Sequence, residues 1–368
     1  MKKIYLFIFV IVILCLVIGC SSAQNSLKAQ QTWPDDGRVI VDPQSGKSYF
    51  LQKVFVPSGS HLIASTFMRP ANSVSAPVML VVSGSRDGIL TAESPLHRSL
   101  LAQGIAVLTL GKKGVSPSTG NWENETFYNR ASNVVAALDW LNTRNDVNGQ
   151  EVVIYAHSQG AYVTPLMADD PRVQALVLAA APAEIVRQQI YTDKVESDTR
   201  KGKSAIRATT AAKRQQRFLD MLTHVCPVYK VHYLCHIYNF DPKPALEKLT
   251  KPVLVLYAGN DPMVPHHKNL PLMQAFLKHN NKAQFTVIPG GNHMFWHSTT
   301  GLPEEYISLR GPVATFPFAD PNNLEHERLA NLFANRVKQS PGYQEAVEDF
   351  VKRIFENQLS KMAESNSL

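Results

Sequence analysis

Four strand-forming residues, Val152-Val153-Ile154-Tyr155, run directly into Ala156-His157-Ser158-Gln159-Gly160, and a small-residue helical stretch, Ala161-Tyr162-Val163-Thr164, follows at once. A chain that turns from strand to helix this abruptly excludes large side chains two residues before and two after the apex, which explains Ala156 and Gly160. Such a turn pushes the Ser158 hydroxyl out at the carboxyl edge of a sheet and aims a helix N-terminus at the same place. The small-x-Ser-x-small pentapeptide is common by itself. Its meaning therefore rests on what stands at the ends of the other strands.

Those strands can be read from apolar runs. Tyr49 to Val56 and Leu62 to Met68 form a β-rich pair separated by Pro57-Ser58-Gly59, a starting hairpin. Val78 to Val82, Gly104 to Leu110, Val173 to Ala180, Val253 to Tyr257 and Gln284 to Ile288 read as strands, the first continuously apolar as burial on both faces requires. Between them, Ser94 to Gln103 is a helix candidate. Phe127, Ala131, Val134, Leu138 and Leu141 keep the spacing of an amphipathic helix. The alternation predicts an α/β fold, a mostly parallel sheet with helices on both faces and the hairpin as an antiparallel edge. The chain is expected to close with two helices, the last starting at Ser340-Pro341.

Two segments break this rhythm. Residues 183–247 are too long for a connection and are expected to form an inserted helical cap. Between Lys194 and Arg217 they carry eight basic and two acidic residues. That charge reads either as a solvated helical face or as a contact with an anionic membrane surface or an acidic substrate. Residues 298–321, aromatic and containing Pro and Gly, read as a loop near the site.

The N-terminus has a different character. Lys2 and Lys3 precede an unbroken apolar run from Ile4 to Ile18, 15 residues, shorter than a bilayer span. It ends at Gly19-Cys20 and turns polar at Ser21-Ser22, the layout of a secretory signal peptide. The small residue before Cys resembles the lipobox of bacterial lipoproteins, which implies cleavage after residue 19 and lipidation of Cys20. An uncleaved anchor and a plain signal with an incidental cysteine are the other readings. Residues 20–46 then serve as a tether, leaving a core of 47–182 and 248–368 with the cap at 183–247. Losing Lys2 and Lys3 takes the net charge from +7 to +5 (7 − 2), too little and too dispersed to argue for nucleic acid. In an exported chain, Cys226 and Cys235 are a candidate disulfide. His224, His232 and His236 lie nearby, but their spacing fits no zinc template, and neither a metal nor a cofactor is expected.

A serine hydroxyl needs a base, normally a histidine oriented by a carboxylate. Directly after the strand ending at Tyr257 comes Ala258-Gly259-Asn260-Asp261-Pro262, and directly after Ile288 comes Pro289-Gly290-Gly291-Asn292-His293. Asp261 and His293 thus follow Ser158 in the required order at one sheet edge. Glu184 is the alternative acid, and His266, His267 and His297 are competing bases. Phe295, Trp296, Tyr229, Tyr233 and Tyr238 could line an apolar pocket or belong to the core.

With these residues in place, the chain over 49–182 and 248–297 resembles the α/β-hydrolase fold, and within it the bacterial serine esterases of the dienelactone-hydrolase-like group. Gly111-Lys112-Lys113-Gly114-Val115-Ser116-Pro117-Ser118-Thr119-Gly120 is similar to that group's Asp-Lys-Arg-Gly-x-Gly-x-Ser-x-Gly loop. Gly111 stands in place of its Asp, and Ser116 in place of its second Gly. The resemblance implies a triad of Ser158, Asp261 and His293. It also implies an oxyanion hole from the Gln159 amide and an amide of Gly84 or Ser85. The expected activity is hydrolysis of a small-molecule or lipid carboxylic ester, at the bacterial cell envelope facing the periplasm and held there by Cys20. An exported serine peptidase, a thioesterase and an inactive lipid-anchored binding protein are the alternatives.

Overall fold

The computed structural model describes residues 33–85, 94–224, 226, 233–305 and 338–365, with side chains of the last helix as far as Glu356. Cys20 and the leader, Tyr229, His232, residues 306–321 and the first of the two expected closing helices lie outside the described residues. Nine strands form one sheet in the order β1-β2-β3-β5-β4-β6-β7-β8-β9. They are β1 (Arg38–Val41), β2 (Ser48–Ser58), β3 (His61–Pro70), β4 (Ala76–Val82), β5 (Ala106–Leu110), β6 (Val147–His157), β7 (Val173–Ala179), β8 (Val253–Ala258) and β9 (Ala283–Ile288). From β5 to β9 all neighbours are parallel, and β1 to β3 add an antiparallel edge.

The sheet is sandwiched because its central strands are apolar on both sides. In β4, Val78, Leu80 and Val82 face one hydrophobic core while Met79 and Val81 face the other, the two-residue alternation of a pleated strand. Helix α1 (Pro95–Ala102), capped by Ser94, covers the second face with Leu96, Leu100 and Leu101. Helix α2 (Phe127–Asn142) covers the first with the predicted stripe Phe127, Ala131, Val134, Leu138 and Leu141. Thr126 and Asn129 close a reciprocal capping box at its start. The elbow helix α3 (Gly160–Val163) continues into a 3₁₀ turn, Thr164–Met167.

The inserted segment is helical, as expected: α4 (Val186–Arg200) and α5 (Ala205–His224) form a hairpin, followed by short helices α6 (Leu234–Ile237) and α7 (Lys243–Leu246). Arg187 on α4 pairs with Asp220 on α5 at 2.7 Å, and the Tyr238 hydroxyl donates to the same carboxylate at 2.8 Å. Cys226 and Cys235 are joined as a disulfide with their Cα atoms 5.5 Å apart. Helix α8 (His266–Phe276) follows β8, and α9 (Tyr343–Ser365) packs Val347, Phe350, Val351 and Phe355 on the second face.

Three expectations need correction. Residues 38–41, assigned to the tether, form the edge strand β1 against Ser48–Leu51, and Trp33 is buried with its indole N–H donating to the Val54 carbonyl at 2.8 Å. Pro57 and Ser58 belong to β2, and the reversal takes only Gly59-Ser60, where Gly59 has φ +60. The last helix begins at Tyr343 rather than at Ser340-Pro341. Gly342 has φ +83, which no right-handed helix contains.

Candidate active site

Strand register brings the site together before any side chain is considered. Val82 of β4 lies beside Ala156 of β6, so the Ser83–Ser85 turn sits next to the elbow. His157 lies beside Ala179 of β7, and Ala258 of β8 beside Ile288 of β9, so the turns carrying Ser158, Asp261 and His293 leave β6, β8 and β9 at one edge of the sheet, with β7 between the first two.

Ser158 has φ +53, and its amide donates to the Ala179 carbonyl at 2.8 Å. A non-glycine residue in this region costs about 1–2 kcal/mol, sustained here by the packed turn around it. Gly160 is required: a Cβ there would lie 2.5 Å from the carbonyl oxygen of Val82. Among the described residues the three non-glycine positions with positive φ are Ser158, Ala180 and Phe295, all at this edge.

The Ser158 hydroxyl donates to Nε2 of His293 at 2.9 Å, and Nδ1–H of His293 donates to Oδ2 of Asp261 at 2.7 Å. An ionised carboxylate only accepts, so Nδ1 carries the proton and Nε2 is left as the acceptor. Burial pushes the Asp261 carboxyl up, but His293 and the amides of Val264 and Met263 outweigh it and hold the group below its ordinary value. Those amides bond Oδ1 at 3.1 and 2.8 Å. The carboxylate is therefore ionised, fixed, and aimed at the imidazole. This constellation can draw the proton from a serine hydroxyl and hold the resulting imidazolium.

The His293 turn is itself tightly bound. Oδ1 of Asn292 accepts the amides of Met294 and Trp296, each at 3.0 Å. Phe295 stacks on Tyr343 with ring centroids 4.4 Å apart, and the Tyr343 and Tyr155 hydroxyls bond at 2.6 Å. Phe295 thus belongs to the core instead of lining a pocket, and Trp296 bridges to Gln339. Tyr233 packs on Trp122 with centroids 5.1 Å apart.

Three residues that pattern reading passes over complete the surroundings. His157 is half-buried, and its Nε2–H donates to the carbonyl of His293 at 2.8 Å; desolvation and the neighbouring His293 lower its pKa to about 4, so it is neutral. Arg130, on the apolar stripe of α2, donates to Oε1 of Gln159 and, at 3.0 Å, to the carbonyl of Ser83. Burial lowers its pKa to about 10, Glu125 opposing, so it remains charged near neutrality. Lys112, also buried, donates to the carbonyl of Gly84. A cation on an otherwise apolar helix stripe was the sequence signal for Arg130. His157 and Lys112 carried no such mark.

The loop 111–120 docks along β3. Ser118 Oγ and Thr119 Oγ1 accept the amides of Ala64 and Leu62 at 2.9 Å. A Cβ at Gly111 would stand 2.0 Å from the Ala64 carbonyl oxygen, so no aspartate fits there. Glu184 is not part of the hydrogen-bonded set: burial raises its pKa, and Thr192 hydrogen-bonds to it. His267 pairs with Glu196 at 3.2 Å, and the His297 amide donates to the Lys338 carbonyl. Among the described residues no group of three or more His, Cys, Asp or Glu could hold a metal ion.

The cap reaches the acid turn from both sides. Gln189 of α4 donates to the Met263 carbonyl at 2.5 Å, and Arg200 donates to the Asn260 carbonyl at 2.9 Å. Asp193, on the same helix, accepts from Ser197 at 2.9 Å; burial raises its pKa, and it also feels the charges of Asp261 and His293.

Residues 54–307 match the alpha/beta hydrolase family, and the chain belongs to it. Solved structures similar to it include Est1E from Butyrivibrio proteoclasticus with bound ferulic acid (17% identity, covering 65% of this chain and 90% of that one, TM-score 0.46). Acetyl xylan esterase 1 from Thermoanaerobacterium sp. JW/SL YS485 is 14% identical over 69% of this chain and 80% of that one, TM-score 0.43. Proline iminopeptidase from Mycobacterium smegmatis is 16% identical over 76% and 99%, TM-score 0.44. At such identities none of them speaks for a substrate. No curated protein matches the chain.

Proposed function

We propose that the chain is a serine hydrolase that cleaves carboxylic esters through an acyl-enzyme. The observation that carries this reading is the continuous relay from Ser158 Oγ to His293 Nε2 and from His293 Nδ1 to Asp261. Ser158 Oγ forms a bond to the acyl carbon while its proton passes to Nε2. The tetrahedral adduct collapses, the ester C–O bond breaks, and the leaving alkoxide takes the proton from Nε2. Water then enters by the same route, gives its proton to Nε2, and releases the acid and free Ser158. Asp261 keeps the imidazole in the competent tautomer and balances the imidazolium.

The oxyanion is assigned to the amide of Gln159 with that of Gly84 or Ser85. Across a trans peptide the C=O and the following N–H point in opposite directions. Arg130 draws the Ser83 carbonyl and Lys112 draws the Gly84 carbonyl. The amides of Gly84 and Ser85 are thereby turned away from the two cations, and Gly84 lies against Ser158: a Cβ on it would sit 3.1 Å from the Ser158 Cβ. Two buried cations thus preset the donors before substrate arrives.

A fluorophosphonate probe should label the wild-type chain at Ser158, and p-nitrophenyl esters of graded acyl length should be turned over. Ser158→Ala should abolish both with unchanged thermal stability. Intact turnover in that variant would remove the assignment. Within the same reading, a lipid on Cys20 holds the chain at the bacterial cell envelope, facing the periplasm. Metabolic labelling with an alkyne fatty acid should mark the wild type and miss Cys20→Ser; equal labelling of both would rule the anchor out.

A further inference from the structure

The cap helix α5 turns two different faces to its surroundings. Ala208 and Ala212 are buried against the protein, with Leu219 packed on the core beside them. The opposite face carries Ile206, Phe218 and Met221, which are 81%, 56% and 62% exposed. At 100° per residue, Arg207, Lys213, Arg214 and Arg217 fall among these three side chains on the same side of the helix, and all four are exposed. We propose that this outward face of α5 docks on an anionic phospholipid bilayer.

The charge on the face is unspent. Of the basic residues between 194 and 217, Lys194 and Lys203 pair with Asp198, Lys201 pairs with Glu304, and Arg200 donates to the carbonyls of Asn260 and Thr300. The one acid of α5, Asp220, is taken by Arg187 and Tyr238. On the packed helix α4, Asp193 is bonded to Ser197 and Glu196 to His267. Arg207, Lys213, Arg214 and Arg217 form no ion pair among the described residues.

Four cations alone would suit water. Three large apolar side chains between them do not, because exposure of that kind on one helix face marks a surface that is covered in use. A bilayer interface accepts both features together: apolar side chains enter the headgroup layer while Lys and Arg reach the phosphates. From residue 206 to residue 221 the face runs along about 22 Å of helix, long enough for all seven side chains to meet a flat surface at once. An acidic protein would need carboxylates matched to four positions, whereas a fluid anionic surface needs no such register. The chain length agrees as well. Twelve residues separate Cys20 from Trp33, the first described residue (32 − 20), and twelve residues span at most about 42 Å. A lipid on Cys20 would therefore keep the body within that reach of a membrane.

The test reads the face itself, because the apolar leader of the full chain can hold it to any vesicle. Phe218→Trp places an indole on the outward side of α5. Emission of this variant, minus that of wild type, is followed with phosphatidylcholine vesicles and with mixed phosphatidylglycerol–phosphatidylcholine vesicles, with and without brominated acyl chains. The expected result is a blue shift and bromine quenching with the anionic vesicles only, reversed at high salt. Adding Lys213→Gln, Arg214→Gln and Arg217→Gln should raise the lipid needed for half the shift on the order of a hundredfold, at roughly fivefold per cation. Circular dichroism of that variant shows whether it is folded, and the salt arm needs no variant at all. An unchanged spectrum with anionic vesicles overturns the proposal, as does an equal response to both lipid mixtures. A shift with polyglutamate and none with vesicles assigns the face to an acidic protein instead.

Discussion

His157 donates its Nε2–H to the main-chain carbonyl of His293 at 2.8 Å, so the residue before Ser158 holds the backbone at His293. The bond ties two turns that leave different strands. It also keeps a half-buried imidazole neutral, and this has a consequence for pH.

Burial and the neighbouring His293 hold the His157 pKa to about 4 in the native state, against 6.5 ordinarily. Between those values the unfolded chain binds a proton that the native chain does not. Stability therefore falls as pH drops through 6.5 toward 4, by about 3 kcal/mol from this group alone. Asp261, whose pKa is depressed below its ordinary 3.8, acts in the same direction at still lower pH. Urea unfolding of the wild type and of His157→Gln at intervals from pH 7 to pH 4 measures the difference. The variant should lose about one proton's worth of slope in that window, and parallel curves would contradict the account.

Arg130 and Lys112 are expected to matter for rate more than for substrate binding. Removing one oxyanion donor outright costs about 10²–10³ in kcat. Loosening a donor's support by Arg130→Met or Lys112→Met should cost less, about tenfold to hundredfold in kcat with KM nearly unchanged. Arg130→Lys should recover part of the loss, since it can still reach one of the two acceptors. Steady-state kinetics on a single p-nitrophenyl ester, set beside thermal unfolding of each variant, separates this from a general loss of stability.

Gly160 should tolerate no side chain. A Cβ 2.5 Å from the Val82 carbonyl oxygen meets rigid backbone at the centre of the sheet, so Gly160→Ala should destabilise by about 1–3 kcal/mol and shift the elbow. A melting temperature equal to wild type would show that the turn can relax.

The Cys226–Cys235 disulfide closes a loop with a sequence separation of 9, which in the chain-entropy model stabilises by about 2–3 kcal/mol. Replacing both cysteines with serine, or adding reductant to the wild type, should lower stability by that amount. Any p-nitrophenyl ester turnover of the wild type at ambient temperature should persist, because the bridge lies in the cap and does not touch Ser158, His293 or Asp261.

Much of the site was legible because each of the three hydrogen-bonded residues follows an apolar run that could only be a buried strand. Ser158, Asp261 and His293 could thus be placed at one edge from order alone. Glu184 also follows such a run, at the end of β7, and nothing in its neighbours separates it from Asp261. Only the hydrogen bond to His293 does. Of the two readings left open for Phe295, pocket wall or core, the choice of core was out of reach of the sequence for a related reason. Its φ of +58 turns the ring back onto Tyr343, a partner far along the chain.

By itself, the sequence determined the layered α/β sheet, the elbow at Ser158, the chain order of Ser158, Asp261 and His293 and the helical nature of the cap. These follow from local periodicity and from small residues at a tight turn, which neighbours along the chain dictate. Tertiary structure alone decided which acid meets His293, that Arg130 and Lys112 grip the carbonyls of Ser83 and Gly84, and that Ile206, Phe218 and Met221 share the outward side of α5 with four cations. Each of these is a meeting of residues distant in sequence or a matter of which side a helix turns inward. The packing of one element against another sets both.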